Sequence, residues 1–242
     1  MSVDTWMHFD PRDDLLESAR ECEAEVFLRW YGNTRSQLED EYGPYDDASV
    51  FIALADAQGE VVAAMRLIAP GGVNGLKVLN DVGREPWGVD GLRSAAAAGL
   101  DLRSTWEIAT ISARRRTGGQ GVRNSYALYR GLSLVARANL MSAFVAVLDE
   151  RVRRLLDSAG LVTNPLPGTG AAPYLGSEAS TPIFAHGVPL LDNQRRHSPE
   201  AFALITQGVG LDGISVPPDD AFRLGWFSPD WAPPLPAGLI SG

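Results

Sequence analysis

A single cysteine, Cys22, in 242 residues excludes an intrachain disulfide and a thiolate metal cluster. In the stretch ESARECEAEVF it reads as a packed or surface thiol rather than a nucleophile. Histidine is nearly as scarce, and the spacing of His8, His186 and His197 fits no metal-ligand set, so no metal is expected. His8 and His197 fall in stretches that read as loops, whereas His186, in PIFAHGV, reads as a hydrogen-bonded residue of a strand. No segment approaches the ~18 uninterrupted apolar residues of a membrane helix. The stretch MSVDTWMHFDPRDD has neither the basic nor the apolar part of a secretory leader. The expectation is a cytoplasmic protein with no membrane span. Basic side chains are outnumbered 21 to 30 by acidic ones, and the net charge of -9 argues against a nucleic-acid partner, because phosphate neutralisation needs a basic surface.

What the chain does have is a core: 45% of its residues are apolar, enough for one domain with an appendage. It also has one cationic stretch. Nine arginines lie between Arg114 and Arg154, against only Asp149 and Glu150. A chain that is acidic elsewhere but basic across its middle is suited to a compact anion there, since local potential steers a small ligand.

Hydrophobic spacing organises the rest. Leu15, Leu16, Ala19, Cys22, Val26 and Trp30 recur at three and four, which predicts a helix over residues 12–32. SVFIALAD and VVAAMRLIAP read as two strands of a hairpin. Residues 70–103, with seven glycines, read as a long irregular connection holding one short helix near Arg93 to Ala98. TWEIATISA (105–113) reads as a strand, residues 122–138 as a helix, MSAFVAVL as a buried strand, and DERVRRLLDSAG as a helix closed by Gly160. Strand, glycine-rich loop, helix, strand is a βαβ unit with parallel strands. From Pro165 on the chain is proline-rich, with a strand at TPIFAHGV, a helix at PEAFALITQG and a tail bearing Trp226, Phe227 and Trp231. Those aromatics either cap a pocket or staple the tail to the domain.

Between the third strand and its helix, Arg116, Gly119 and Gly121 fit R-x-x-G-x-G, with Gly118 added. Glycine lets a backbone approach a ligand closely, and the free amides of a first helical turn suit a diphosphate. The register excludes a dinucleotide fingerprint and a Walker loop. A plain turn followed by a solvated arginine stripe is the alternative.

This stretch resembles the acyl-CoA diphosphate loop of the GNAT N-acyltransferase superfamily, and the strand and helix that follow resemble that family's next segment. The resemblance spans roughly residues 45 to 165. It implies an α+β fold, a mixed twisted sheet flanked by helices, with a core over residues 1–164 and a C-terminal extension over 165–242 packed on the same domain. It implies acyl-CoA, or the phosphopantetheine of an acyl carrier protein, as co-substrate, with no metal. Carried over by position, the backbone of Ile111 and Ala113 would line the thioester, with their amides as oxyanion donors. Arg116, Gly118, Gly119, Gln120, Gly121, Val122 and Arg123 would hold the CoA phosphates. Arg130 and Arg137 share the helix side of Arg123, and Arg137 suits solvation or a salt bridge. The tyrosine that many acetyltransferases use to protonate the leaving thiolate corresponds to Leu156, while Tyr126 and Tyr129 fit packing better than acid catalysis.

A second set of residues, in AEVFLRWYG, EDEYGPYDDAS, MRLI and TWEIA, resembles acyl-homoserine-lactone synthases and long-chain N-acyl amino acid synthases. The matching positions are Phe27 and Trp30 for substrate binding and Asp46, Arg66 and Glu107 for catalysis. These synthases keep an arginine three residues after the glutamate; Thr110 stands there, which departs from lactone formation. The resemblance implies acyl transfer to the amine of a small amino-acid-like molecule. Asp46 would meet its ammonium and Arg66 its carboxylate, with Glu107 as proton acceptor. Glu107 as a buried partner of Arg66 is the competing reading. A short-chain acetyltransferase and a non-catalytic acyl-CoA-binding module are the competing functions.

Overall fold

The computed structural model describes residues 4–114 and 120–227, the Gln120 side chain excepted. Nine strands form one mixed sheet among these residues, in the order β6-β8-β5-β4-β3-β2-β1-β9, with β7 paired to β8. The strands are β1 (Thr5–Phe9), β2 (Ser49–Asp56), β3 (Val61–Ile68), β4 (Thr105–Ala113), β5 (Ala143–Asp149), β6 (Asn164–Pro165), β7 (Ala172–Tyr174), β8 (Ser177–His186) and β9 (Ile214–Ser215). The helices are α1 (Asp13–Tyr31), α2 (Arg35–Tyr42), α3 (Lys77–Asp81), α4 (Gly91–Ala97), α5 (Gln120–Ala138), α6 (Glu150–Ser158), α7 (Gly187–His197) and α8 (Pro199–Gln207).

β2 and β3 are apolar almost throughout because both of their faces are covered. On one face α1 lays Ala19 and Cys22 against Phe51, Ala53 and Ala64. Cys22 is thus a packed thiol, pushed up to about 12 by burial. Farther along this face, α3 and α4 pack Val78, Leu79 and Ala95 with Ile68 and Val145. On the opposite face α5 presses Ala127, Leu128, Leu134 and Val135 onto Ile52, Leu54 and Trp106. Its close approach depends on Gly131, where an added Cβ would lie 2.8 Å from Ile52 Cγ2 and 3.1 Å from Met7 Sδ. Gly131→Ala therefore destabilises the fold by about 1–3 kcal/mol, since overpacking outweighs the better helix propensity. Urea denaturation measures it, and a stabilised variant would contradict the packing.

The C-terminal segment belongs to the same sheet. β8 pairs with β5 over seven residues, and α8 packs on α5. The tail is stapled: Asn139 donates to Phe222 O and accepts from the Leu224 amide, Phe222 packs on Phe9, and Phe227 meets Trp106 edge-on at 5.5 Å. Trp226 is half exposed, and Trp231 lies outside the described residues.

Several sequence expectations need correction. His8 sits in a strand, β1, opposite Ala53, and His197 ends a helix, α7. β1 is five residues long and half exposed, too short for alternation to register. α7 carries Pro189, which reads as a breaker, but it occupies the first turn, where a missing N–H costs nothing. Residues 70–103 hold two helices rather than one, α3 being a bare turn. α5 begins at Gln120, two residues before the expected start.

Candidate functional site

The site begins where strand pairing stops. β4 and β5 run parallel, but only Thr105–Glu107 pair with Ala143–Val145; both strands continue beyond, unpaired with each other. In the same stretch β4 bulges against β3: Arg66 faces Thr110 and Leu67 faces Ile108, leaving Ala109 without a counterpart. Strict alternation would put residues 107 and 110 on opposite faces. The bulge turns both toward the α1–α3 side. The Arg114 N–H donates to Val62 O of β3 at 3.0 Å, so alternation aims the amides of Ala113 and Ile111 away from β3, into the opened gap.

On the α1–α3 side Glu107 is 2% exposed and its Oε2 accepts the Val78 N–H at 2.9 Å. Burial pushes its carboxyl up to about 8, although the amides of Val78 and Lys77 and the nearby Lys77 ammonium act the other way. Glu107 borders a small pocket of about 70 Å³ with Phe27, Tyr31, Tyr42, Tyr174 and Asp149. Beside it lies Lys77, the chain's only lysine, 2% exposed. Its ammonium donates to Asp81 at 2.6 Å and Tyr174 Oη at 2.9 Å and pairs with Glu41 at 2.9 Å. Burial also raises the Tyr42 and Tyr174 hydroxyls, which stay neutral.

Arg66 is not the partner of Glu107. Its Nε and one terminal nitrogen bond Glu23 at 3.1 and 2.6 Å, and the other reaches Asp46 at 3.4 Å. The guanidinium lies 4.8 Å from the ring centres of both Tyr42 and Phe51. Thr110, where the resembling synthases carry arginine, donates to Glu23. Asp46 also binds Arg20.

The opposite face of the opened strands is different. An apolar cavity of about 1090 Å³ extends from Ile108, Ile111, Ala146 and Leu148 between α5, α6, α7 and α8. Leu156 and Tyr129 contribute to its wall, and burial pushes the Tyr129 hydroxyl up to about 12. Tyr126 meets Tyr129 edge-on in the core, as packing requires. His186 lies on the rim, its Nε2 3.0 Å from Ala98 O.

The structure thus brings together Glu107 and Phe27, leaves Ile111 and Ala113 farther along β4, and sets Arg66 and Asp46 behind Tyr42. Trp30 faces solvent at 58% exposure, with Arg29 over its ring. Gly121 and Val122 occupy the first turn of α5, Val122 exposed, with Arg123 beside them. Arg137 pairs with Asp219 at 3.0 Å. Arg116, Gly118, Gly119 and the Gln120 side chain lie outside the described residues. Sequence reasoning missed Glu23, Tyr42, Lys77, Asp81, Asp149 and Tyr174. Only the pair Lys77 and Asp81, four apart in a stretch poor in charge, carried a local signal.

No protein-family model matches the chain, and a search of curated proteins returns no match. Solved structures do match. FeeM, an N-acyl amino acid synthase from uncultured soil microbes, superposes with a TM-score of 0.58 at 9% identity, over 78% of this chain and 93% of its own. BjaI, a CoA-dependent acyl-homoserine lactone synthase solved with SAM and isopentyl-CoA, gives 0.55 at 16% identity, over 90% and 96%. The chain has their fold, the GNAT-type α+β arrangement.

Proposed function

We propose that this GNAT-fold chain is an N-acyltransferase that moves a long acyl group from a CoA or carrier-protein thioester to the amine of a small molecule. The observation that carries the reading is the opened β4/β5 stretch, with a buried carboxyl on one face and a large apolar cavity on the other. The thioester would cross the gap, its acyl chain filling the cavity and its carbonyl facing the amine. An acetyl group would leave most of that cavity empty. The loop at Arg116, Gly118, Gly119 and Gln120, continuing into Gly121, Val122 and Arg123, would hold the diphosphate of CoA on main-chain amides at the start of α5.

The neutral amine attacks the thioester carbonyl carbon, forming the C–N bond. One outward-facing β4 amide stabilises the oxyanion, that of Ile111 lying nearer to Glu107 than that of Ala113, and the Glu107 carboxylate takes the proton from nitrogen through a water. The C–S bond then breaks with its electron pair on sulfur. With Leu156 in place of an acid, sulfur leaves as the thiolate.

The resemblance implies an amino-acid-like acceptor held by Asp46 and Arg66. In our reading Arg66, already bonded to Glu23 and Asp46, braces Tyr42 behind the pocket instead, and Phe27 rather than Trp30 borders the acceptor. Mass spectrometry of the purified chain with acetyl- to palmitoyl-CoA, the same acyl groups on a carrier protein, and an amine mixture tests the reading. A product with the mass of the thioester plus the amine, less the free thiol, supports it; no amide with any donor overturns it.

A further inference from the structure

Among the described residues, the small pocket around Glu107 has no lysine, arginine or histidine in its wall. Four of the wall's side chains are aromatic, Phe27, Tyr31, Tyr42 and Tyr174, and its only carboxyl groups are Glu107 and Asp149. Resting on the acyl-transfer reading, we propose that the acceptor bound there is a compact primary amine with no carboxylate beside its amino group.

The cations that touch the wall are already engaged. Arg66 stacks on Tyr42 and is held by Glu23 and Asp46. Lys77 stands 5.2 Å from the Tyr42 ring centre and is held by Asp81, Glu41 and Tyr174. Arg151 grips both oxygens of Asp149 at 3.1 Å. Asp149 is spent in turn: one oxygen also accepts the Arg151 amide and the other the Ser177 hydroxyl, which fills its four acceptor places and holds its carboxyl near 2, the Arg151 bonds being the main cause. Glu107, with the Phe27 and Tyr31 rings 5.4 Å apart, is left to meet a ligand. A carboxyl acceptor flanked by rings suits an amine or its ammonium. A carboxylate in the same space would be stripped of water and find no unengaged cation among the described residues of the wall, which is the costly way to bury a charge.

Size agrees with this. At a liquid share of about 30 Å³ per water, about 70 Å³ matches roughly two waters, room for an amine on a two- or three-carbon stem. Specificity would come from rejection, the carboxylate being refused rather than the amine specially gripped.

The test is a chemical-shift titration of the full chain with three probes: ethylamine; alanine, which is ethylamine bearing a carboxylate; and alaninamide, of alanine's size but without the negative charge. Ethylamine and alaninamide are expected to move the resonances of Glu107, Ala109 and Ser177, and alanine to need at least tenfold higher concentration. Asp149→Asn keeps an acceptor at the start of α6 while releasing Arg151, and should narrow the gap between alanine and alaninamide at least fivefold. Alanine binding as tightly as alaninamide, ethylamine leaving those resonances unmoved, or a gap untouched by D149N would each overturn the proposal. None of these readouts needs turnover, so amine binding without any amide product marks a failure of the acyl-transfer reading alone.

Discussion

Replacing Glu107 with Gln is expected to lower kcat by about 100- to 1,000-fold while leaving the KM for the acyl donor unchanged. The substitution keeps the size of the side chain and an oxygen for the Val78 N–H, so the pocket survives while the proton acceptor is lost. Its pH signature is more specific than the rate. Burial pushes this carboxyl up to about 8, so the protonated, inactive form dominates at neutral pH and kcat/KM should climb as pH rises through 8, in addition to the acceptor amine's own slope. In the Gln variant only the amine's slope remains. Stability gives a check that needs no substrate. A carboxyl whose folded pKa lies above its unfolded value of about 4.5 stabilises fully below that value, and the contribution is lost as pH rises through about 8. Urea denaturation should therefore show Glu107→Gln gaining on the wild type between pH 5 and pH 9. Unchanged turnover, or a stability difference flat across that range, would remove Glu107 from the mechanism proposed.

The second large effect concerns the donor. Each buried methylene contributes about 0.8 kcal/mol, roughly a fourfold gain in affinity, for as long as the chain has apolar space to enter. The cavity of about 1090 Å³ has that space. Lauroyl donors should bind at least 100-fold more tightly than acetyl donors, as measured by calorimetry with CoA thioesters. Ala136→Phe, which adds a ring to the α5 wall of the cavity, should erase most of that preference while leaving acetyl affinity alone. Affinity independent of chain length would leave the cavity without a role in binding the donor, and the short-chain acetyltransferase would become the better reading.

The two faces of the opened strands serve these predictions differently because they are built differently. The proposed donor side is apolar side chains from α5 to α8 arranged around a cavity. The proposed acceptor side is a set of neutralised charges, Arg66 with Glu23 and Lys77 with Asp81, set around aromatic rings. Such buried pairs are expensive to desolvate and fix geometry more than they add stability. Glu107 therefore sits in a desolvated setting, where burial raises its proton affinity and the Val78 and Lys77 groups temper the rise.

Much of this was legible in the residues. β4 was expected over TWEIATISA and forms over those residues; the hairpin of β2 and β3, the helix before β5 and the stop at Gly160, whose φ is +75°, also follow local rules of period and capping. Less was legible where the signal was short or polar. β1 and α3 span about five residues each, α2 is polar nearly throughout, and α7 carries Pro189.

By itself the sequence determined the longer strands β2 to β5 and β8 and the helices α1, α5, α6 and α8, that Glu107 stands on a strand, and that α5 is preceded by a glycine-rich stretch, because each is a property of neighbours along the chain. Tertiary structure alone decided that β4 parts from β5 after Glu107, that a bulge at Ala109 turns Glu107 and Thr110 to one face, that Arg66 pairs with Glu23 from 43 residues away, and that Lys77 is buried beside Tyr174 from 97 residues away. Charge pairing and proton affinity depend on distance and desolvation in space, which no local pattern encodes.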